Sequence, residues 1–171
     1  MAQALTAPVL VAALVLCATG VAKPRAPSTA AVALAGAGLT ASVVPVRAFA
    51  SLELALGVWV VPAPSSVNCA LLALTFLALS GVALMLTRRA SSCGCFGDTQ
   101  ALASNLHALL NAAFAVLAAA GVAWPPHGLT WVLGQPPVLA ASLLAGIAGA
   151  AYATVIAYTE LPAAWSAWSS Q

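Results

Sequence analysis

Charged residues are scarce in this sequence. Of its 171 residues, 5% are Asp, Glu, Lys or Arg and 63% are hydrophobic, whereas a soluble domain carries roughly 25% charged residues. So few charged side chains cannot cover a water-facing surface, and most of the exterior must therefore face lipid. The net charge of +2, spread over scattered cations, excludes a nucleic-acid-binding protein. The sequence predicts an integral membrane protein in contact with the lipid bilayer.

Nucleotide-binding motifs and soluble segments are also lacking. The chain has no Rossmann-type glycine motif. Its longest polar connection, residues 88–100, is too short to hold a flavin or nicotinamide domain. We expect residues 1–171 to form a single integral membrane domain that carries this polar loop. Any redox chemistry would then depend on thiols or on a lipid-soluble carrier such as a quinone.

The N-terminal segment carries its cations behind the apolar run instead of before it. Residues 1–22 contain no Lys or Arg, whereas Lys23 and Arg25 follow directly. A secretory signal has its positive charge at the start. The order found here predicts an uncleaved first span with its N-terminus outside.

Several segments reach the length of about 20 apolar residues that a membrane span needs. They are residues 8–22, extended by those before them, 67–87, 101–123 and 137–158. Residues 28–62 are interrupted by Pro45 and Arg47. There we predict a short interfacial helix over 28–44 and a span over 45–61, because proline is tolerated in the first turn of a helix. The predicted fold is an all-α bundle of five spans, with a hairpin and six spans as the alternative.

The two span counts predict different orientations. Turns rich in Pro and Gly at 61–66 and 124–137 share one face in both counts, where Trp59, Trp124 and Trp131 would form an interfacial belt. Five spans place all five Lys and Arg residues on the opposite face, with the polar loop, and make that face cytoplasmic by the positive-inside rule. Six spans divide the cations two against three and permit an extracytoplasmic loop.

Two thiols lie one residue apart in the polar loop. Cys93 and Cys95 flank Gly94, which permits a tight bend. A disulfide between residues i and i+2 would close a small, strained ring, and strained, exposed disulfides are the labile, oxidising ones. The cations of Arg88 and Arg89 favour the thiolate, which is both the attacking and the leaving species in exchange. The pattern favours a redox-active pair, and two ordinary loop thiols are the alternative.

Other roles for the cysteines stay open at this point. Soft thiolates could instead hold Cu(I) or Zn, although one Cys-x-Cys supplies two ligands, to which His107 could add a third. Cys17 lies a little over one turn from the loop end of its span and could resolve a mixed disulfide with the pair, although the role of a small buried hydrophobic residue is favoured for it. We expect Cys69, near the opposite face, to be a buried hydrophobic residue.

Glu53 and His107 are ionisable residues within predicted spans. A carboxylate in a span is costly unless it has a partner, and such residues are candidates for functional sites. Each lies within two turns or so of the loop face, so we predict that they meet beneath the loop and handle protons released during thiol oxidation. Asn111 follows Ser104 and His107 at helical spacing and would face other helices as a hydrogen-bonding residue. The alternative to proton transfer is that Glu53 and His107 form a purely structural hydrogen-bonded pair.

Three segments occur in order between residues 5 and 122: GVAKPRAP, VPVRAFASLELALGVWVV, and SCGCFGD followed by SNLHALLNAAFAVLAAAG. Together they resemble the MauE branch of the MauE/DoxX redox-associated membrane proteins. The most specific part is CGCFG, which includes Phe96 and Gly97, placed before a span that carries Asn105. Where the family pattern has an arginine before this asparagine, the chain has Ser104.

The resemblance implies a multi-pass protein of the bacterial cytoplasmic membrane that moves thiol or disulfide equivalents, with Cys93 and Cys95 as the redox pair. MauE-type proteins are linked to methylamine utilisation, where they are needed to mature a disulfide-rich dehydrogenase subunit beside a thioredoxin-like partner. A thioredoxin-like protein and a cysteine-containing client are therefore the expected partners. If the chain is an enzyme, the expected activity is that of a thiol–disulfide oxidoreductase.

Two further classes of function are compatible with the same residues. A metal-handling membrane protein would bind Cu or Zn through the two thiols without forming a disulfide. A non-catalytic membrane scaffold would hold a partner and keep its function when both thiols are replaced.

Overall fold

The computed structural model describes residues 1–36, 38, 42–89, 103–162, 164 and 168. These residues form helices and connections without a strand. The helices are α1 (Ala2–Ala22), α2 (Pro27–Gly36), α3 (Val43–Val60), α4 (Ser66–Arg88), α5 (Asn105–Ala123), α6 (Leu129–Leu133) and α7 (Pro137–Thr159). Five of them, α1, α3, α4, α5 and α7, are long and apolar enough to cross a membrane. The prediction of an all-α bundle with five spans and an additional short helix is confirmed.

The short helix α2 ends earlier than the predicted 28–44. It runs from Pro27 to Gly36, and the amide of Gly38 donates to the carbonyl oxygen of Ala35 at 2.9 Å. Gly38 has a φ of 78°, a left-handed conformation that favours glycine and commonly ends a helix. Helix α3 then begins at Val43, so Pro45 lies in its first turn. The missing N–H of proline costs no hydrogen bond there, because amides in the first turn have no partner within the helix.

Helix α1 lies at the centre of the bundle. It packs against α3, α5 and α7, while α4 and α5 form an antiparallel hairpin. Its side chains Val9, Leu10 and Leu16 are buried, together with Phe76 of α4 and Phe114 of α5. A helix that is apolar on all sides is suited to a position that other helices surround. Helix α7 is the least buried of the five spans.

Two glycines allow α1 and α3 to approach closely. A Cβ on Gly20 would lie 2.8 Å from both the carbonyl oxygen of Ala50 and the amide nitrogen of Leu54. A Cβ on Gly57, one turn beyond Glu53, would lie 2.8 Å from the carbonyl oxygen of Ala13. Small residues at such contacts are the usual basis of close packing between helices in membranes. Gly20 and Gly57 therefore set the depth and rotation of α3 against α1.

The turns at 61–66 and 124–137 contact each other, as the shared face requires. The amide of Leu129 donates to the carbonyl oxygen of Val61 at 2.8 Å, and Gly128 packs directly on Pro62. The second segment is more than a turn, because it contains the short helix α6. Trp59 and Trp124 are exposed at this end, in line with the predicted belt. Trp131 is half-buried and stacks on His127.

Candidate functional site

The buried carboxylate of Glu53 pairs with Lys23. The ammonium nitrogen lies 2.5 Å from each carboxylate oxygen, and the two side chains are 8% and 0% exposed. Lys23 belongs to a short 3-10 turn, Lys23–Arg25, directly after α1, and its ammonium also lies 5.1 Å from the centre of the Phe49 ring, within the range of a cation–π contact. The pair is neutral as a unit, which allows both charges to lie inside the bundle.

The sequence analysis treated Lys23 only as a cation that flanks the first span. The sequence did contain a sign of this pairing, since Lys23 directly follows α1 and Glu53 is the one carboxylate within the five described spans. The close approach of α1 and α3 at Gly20, three residues before Lys23, brings the two residues together.

His107 is part of the N-terminal cap of α5. Its Nδ1 lies 2.9 Å from the hydroxyl oxygen of Ser104 and accepts a hydrogen bond of 3.2 Å from the Ser104 amide. The amide of His107 donates to the carbonyl oxygen of Ser104 at 3.0 Å, and the two residues form a capping box, an arrangement that pairs amides at a helix start. The imidazole is buried.

Asn111 connects α5 with α7. Its amide group donates to the carbonyl oxygen of His107 at 2.9 Å, and its side-chain oxygen accepts from the hydroxyl of Tyr158 at 3.0 Å. The rings of His107 and Tyr158 lie 5.4 Å apart. The expectation that Asn111 binds another helix is confirmed. Tyr158 was not identified from the sequence, because a tyrosine near the end of an apolar span is also typical of an interfacial anchor.

Glu53 and His107 do not share a hydrogen bond in the part of the chain that the structure describes, and their joint role in proton transfer stays a prediction. Glu53 binds Lys23, and His107 binds Ser104. The reason is that α1 lies between the elements that carry them, and the 3-10 turn directly after α1 supplies the partner for Glu53. Their hydrogen-bonding partners Lys23 and Asn111 line one small cavity.

The predicted redox motif falls outside the described residues. This applies to Cys93, Gly94, Cys95, Phe96 and Gly97, whose roles stay predictions. On either side of the motif, α4 ends at Arg88 and α5 begins at the exposed Asn105.

The flanking arginines are both exposed. Arg88 is the last residue of α4, and the guanidinium of Arg89 lies so close to Gly38 that a Cβ there would be 2.6 Å from it. The cations of Arg88 and Arg89 thus lie at the same end of the bundle as the connection between α2 and α3.

The two cysteines within described spans are free thiols. The sulfur of Cys17 lies against Gly57 in the contact between α1 and α3, six residues or about 9 Å below Lys23 along the helix. Its predicted resolving role stays a prediction, because its potential partners are outside the described residues. Cys69 is fully buried against Gly121 at the opposite end, which confirms its expected place as a buried side chain.

The described ranges offer no group of side chains that could hold a metal ion. No three His, Cys, Asp or Glu side chains come together there. The Nδ1 atom of His107 is already engaged by Ser104. His107 therefore acts as a capping residue on this side of its ring.

These features define a class of protein: a multi-pass α-helical membrane protein with a buried ion pair and a buried histidine towards one end of the bundle. The family model of the methylamine utilisation protein MauE matches residues 1–124. The match covers well over half of the 171 residues, so the chain belongs to the MauE family. It ends before α6 and α7, and thus before Tyr158. No curated protein and no solved structure matches the chain.

Proposed function

We propose that this protein is a thiol–disulfide redox protein of the bacterial cytoplasmic membrane that helps to mature a cysteine-containing client beside a thioredoxin-like partner. The observation that carries the proposal is the match to the MauE family over residues 1–124, which include Cys93-Gly94-Cys95. Membership alone supports a MauE-like membrane protein. The redox role rests in addition on the chemistry of two thiols that lie one residue apart in the sequence and close to two cations.

The proposed chemistry is a disulfide exchange. A thiolate of the partner attacks the disulfide between Cys93 and Cys95 and forms a mixed disulfide, while the second cysteine leaves as a thiolate. The second thiol of the partner then resolves the mixed disulfide. The partner loses two electrons and two protons, and Cys93 and Cys95 become reduced. His107 and Glu53 assist the proton transfers in this proposal. Ser104 supports the role of His107, because its half-buried hydroxyl lies 2.9 Å from the imidazole and Ser104 is close to the polar loop in sequence.

A groove between α3 and α4 supports a quinone as the acceptor that restores the disulfide. Its volume is about 350 Å³, within the range of roughly 300–1,000 Å³ that is usual for small-molecule sites. It is lined by Phe49, Leu52, Glu53, Ala55, Leu56, Trp59, Leu71 and Thr75. The dithiol would pass two electrons and two protons to the quinone, giving the disulfide and a quinol. Such a carrier suits a chain without a soluble nucleotide-binding domain.

The proposal is tested with the variant Cys93→Ser/Cys95→Ser in cells that produce the client. We expect the client to lose its disulfides while the membrane protein keeps its normal abundance. The matched control is Cys69→Ala, which replaces a buried cysteine at the opposite end of the bundle and should leave client oxidation unchanged. Full client oxidation by the double variant would show that the thiols are not the redox pair. Stoichiometric Cu(I) on reduced wild-type thiols would favour metal handling instead.

A further inference from the structure

Arg47 is an exposed cation on the outside of α3. It lies four residues, or about 6 Å, inside the start of this span. The exposed residues Val44, Ser51 and Val58 share its face of the helix, since they follow it at helical spacing. The groove between α3 and α4 lies on another face, because none of these residues lines it. A cation at this depth has to extend to the headgroup region of the membrane, where the lipid phosphates lie.

Arg25 lies at about the same level as Arg47 on the neighbouring element. Helices α1 and α3 run antiparallel, and Gly20 lies against Ala50 and Leu54. Continued to the 3-10 turn after α1, this register places Arg25 about opposite Arg47, and the turn itself packs on α3. Arg25 is exposed as well. Two cations therefore lie at one depth, at the loop end of α1 and α3.

Neither guanidinium group has an ion pair or a side-chain hydrogen bond within the described ranges. The nearby carboxylate of Glu53 is already bound to Lys23. Cations at one level repel each other, and an anion bound to both would turn this repulsion into attraction. The apolar side chains beside Arg47 add a second requirement. A ligand with a negative headgroup and an apolar tail meets both.

We propose that Arg25 and Arg47 bind the phosphate group of one anionic phospholipid from the leaflet on the loop side, while an acyl chain of this lipid lies along the exposed face of α3. Arginine suits this role because its guanidinium group presents several donors to a phosphate. An acidic protein surface would use the two charges alone and would leave Val44 and Val58 uncovered. The site does not depend on the thiol chemistry proposed above.

Native mass spectrometry of the delipidated full-length protein in detergent tests the site, because it counts the lipids bound to each protein molecule. We expect the first phosphatidylglycerol to bind at least about fivefold more tightly than the first phosphatidylcholine. The two lipids share the phosphate and the acyl chains, but phosphatidylcholine has no net charge. This comparison needs only the wild-type protein, and equal affinities would overturn the proposal.

Single variants locate the site. Arg47→Gln and Arg25→Gln should each weaken phosphatidylglycerol binding by about fivefold, the effect of one cation near a membrane surface. The matched control is Arg88→Gln, which removes an exposed cation from the same end of the bundle but from α4. It should change this affinity by less than about twofold.

Two results of the variants would overturn the proposal. An equal loss of phosphatidylglycerol binding in Arg88→Gln and Arg47→Gln would show a general attraction of charge and no site. Unchanged phosphatidylglycerol binding in Arg47→Gln, together with weaker binding of an acidic protein partner, would assign the cations to protein docking.

Discussion

The ammonium of Lys23 lies 2.5 Å from each carboxylate oxygen of Glu53. The two residues are 30 positions apart and belong to neighbouring spans, so their contact links the end of α1 to the middle of α3. Both are at least nine-tenths buried. The interior of this bundle therefore holds two charges as one neutral pair.

Removal of one member of this pair should be more harmful than removal of both. Lys23→Met leaves the carboxylate of Glu53 without its partner, and breaking a buried pair in this way costs about 3–5 kcal/mol. The double variant Lys23→Met/Glu53→Leu has no buried charge and should recover most of this loss. Reversible unfolding in mixed micelles measures the free energy of unfolding of the single and the double variant. A double variant as unstable as Lys23→Met would contradict the pairing.

Glu160→Gln is the matched control for these variants. Glu160 is an exposed carboxylate directly after α7, so its neutralisation should change the free energy of unfolding by less than about 0.5 kcal/mol.

Gly20→Ala should weaken the contact between α1 and α3. The added Cβ would lie 2.8 Å from main-chain atoms of Ala50 and Leu54, which cannot move aside as a flexible side chain could. Overpacking of this kind costs typically about 1–3 kcal/mol. Gly146→Ala provides the comparison, because a Cβ there would have no neighbouring atom within 4 Å apart from the backbone of its own helix. Equal stability of the two variants would show that α1 and α3 do not approach each other closely at Gly20.

Ser104→Ala should destabilise the start of α5 by about 1 kcal/mol, the usual effect of removing an N-terminal cap. Ser104→Thr keeps a hydroxyl in the same place and serves as the control. Amide hydrogen exchange at the first turn of α5 would show the effect locally. No change in exchange for Ser104→Ala would mean that the capping box is not important for this helix end.

The number of spans could be predicted from the sequence because length and hydropathy alone determine it. Pro45 was correctly assigned to the first turn of α3, since the restrictions of proline are local. The extent of α2 was wrong, because the left-handed turn at Gly38 ends the helix before residue 44. The short helix α6 was missed within a segment rich in proline and glycine.

The partners within the site could not be predicted in the same way. The pairing of Glu53 with Lys23 depends on how deeply α1 and α3 pack at Gly20 and Gly57, and hydropathy carries no information on that register. Ser104 and His107 were identified at helical spacing, but their capping interaction required the exact start of α5. Tyr158 joins the site only through contacts between distant helices.

His107→Gln separates a role in proton transfer from a role in structure. Glutamine at this capping position can still accept at the helix start, but it does not exchange protons as imidazole does. We expect normal abundance and an exchange rate with the thioredoxin-like partner lower by about 10²–10⁴-fold, the usual contribution of general acid–base catalysis. Trapping of the mixed disulfide over time measures the rate. An unchanged rate would leave His107 as a capping residue alone.

The orientation of the bundle can be tested by labelling. Five spans place Lys23, Arg25, Arg47, Arg88 and Arg89 at the loop end, and the opposite end carries no Lys or Arg. The positive-inside rule then predicts a cytoplasmic loop.

Accordingly, a membrane-impermeant maleimide should label Cys93 and Cys95 of reduced protein only after cells are permeabilised. Gln135→Cys, in the connection between α6 and α7, is the control and should be labelled in intact cells. If Cys93 and Cys95 are labelled in intact cells and Gln135→Cys is not, the orientation is reversed. The exchange would then take place outside the cytoplasm, where disulfides form and persist. Labelling as expected would place the loop among cytoplasmic thiols, which are kept reduced, and would favour a thiol-reducing or metal-binding role over the client oxidation proposed above.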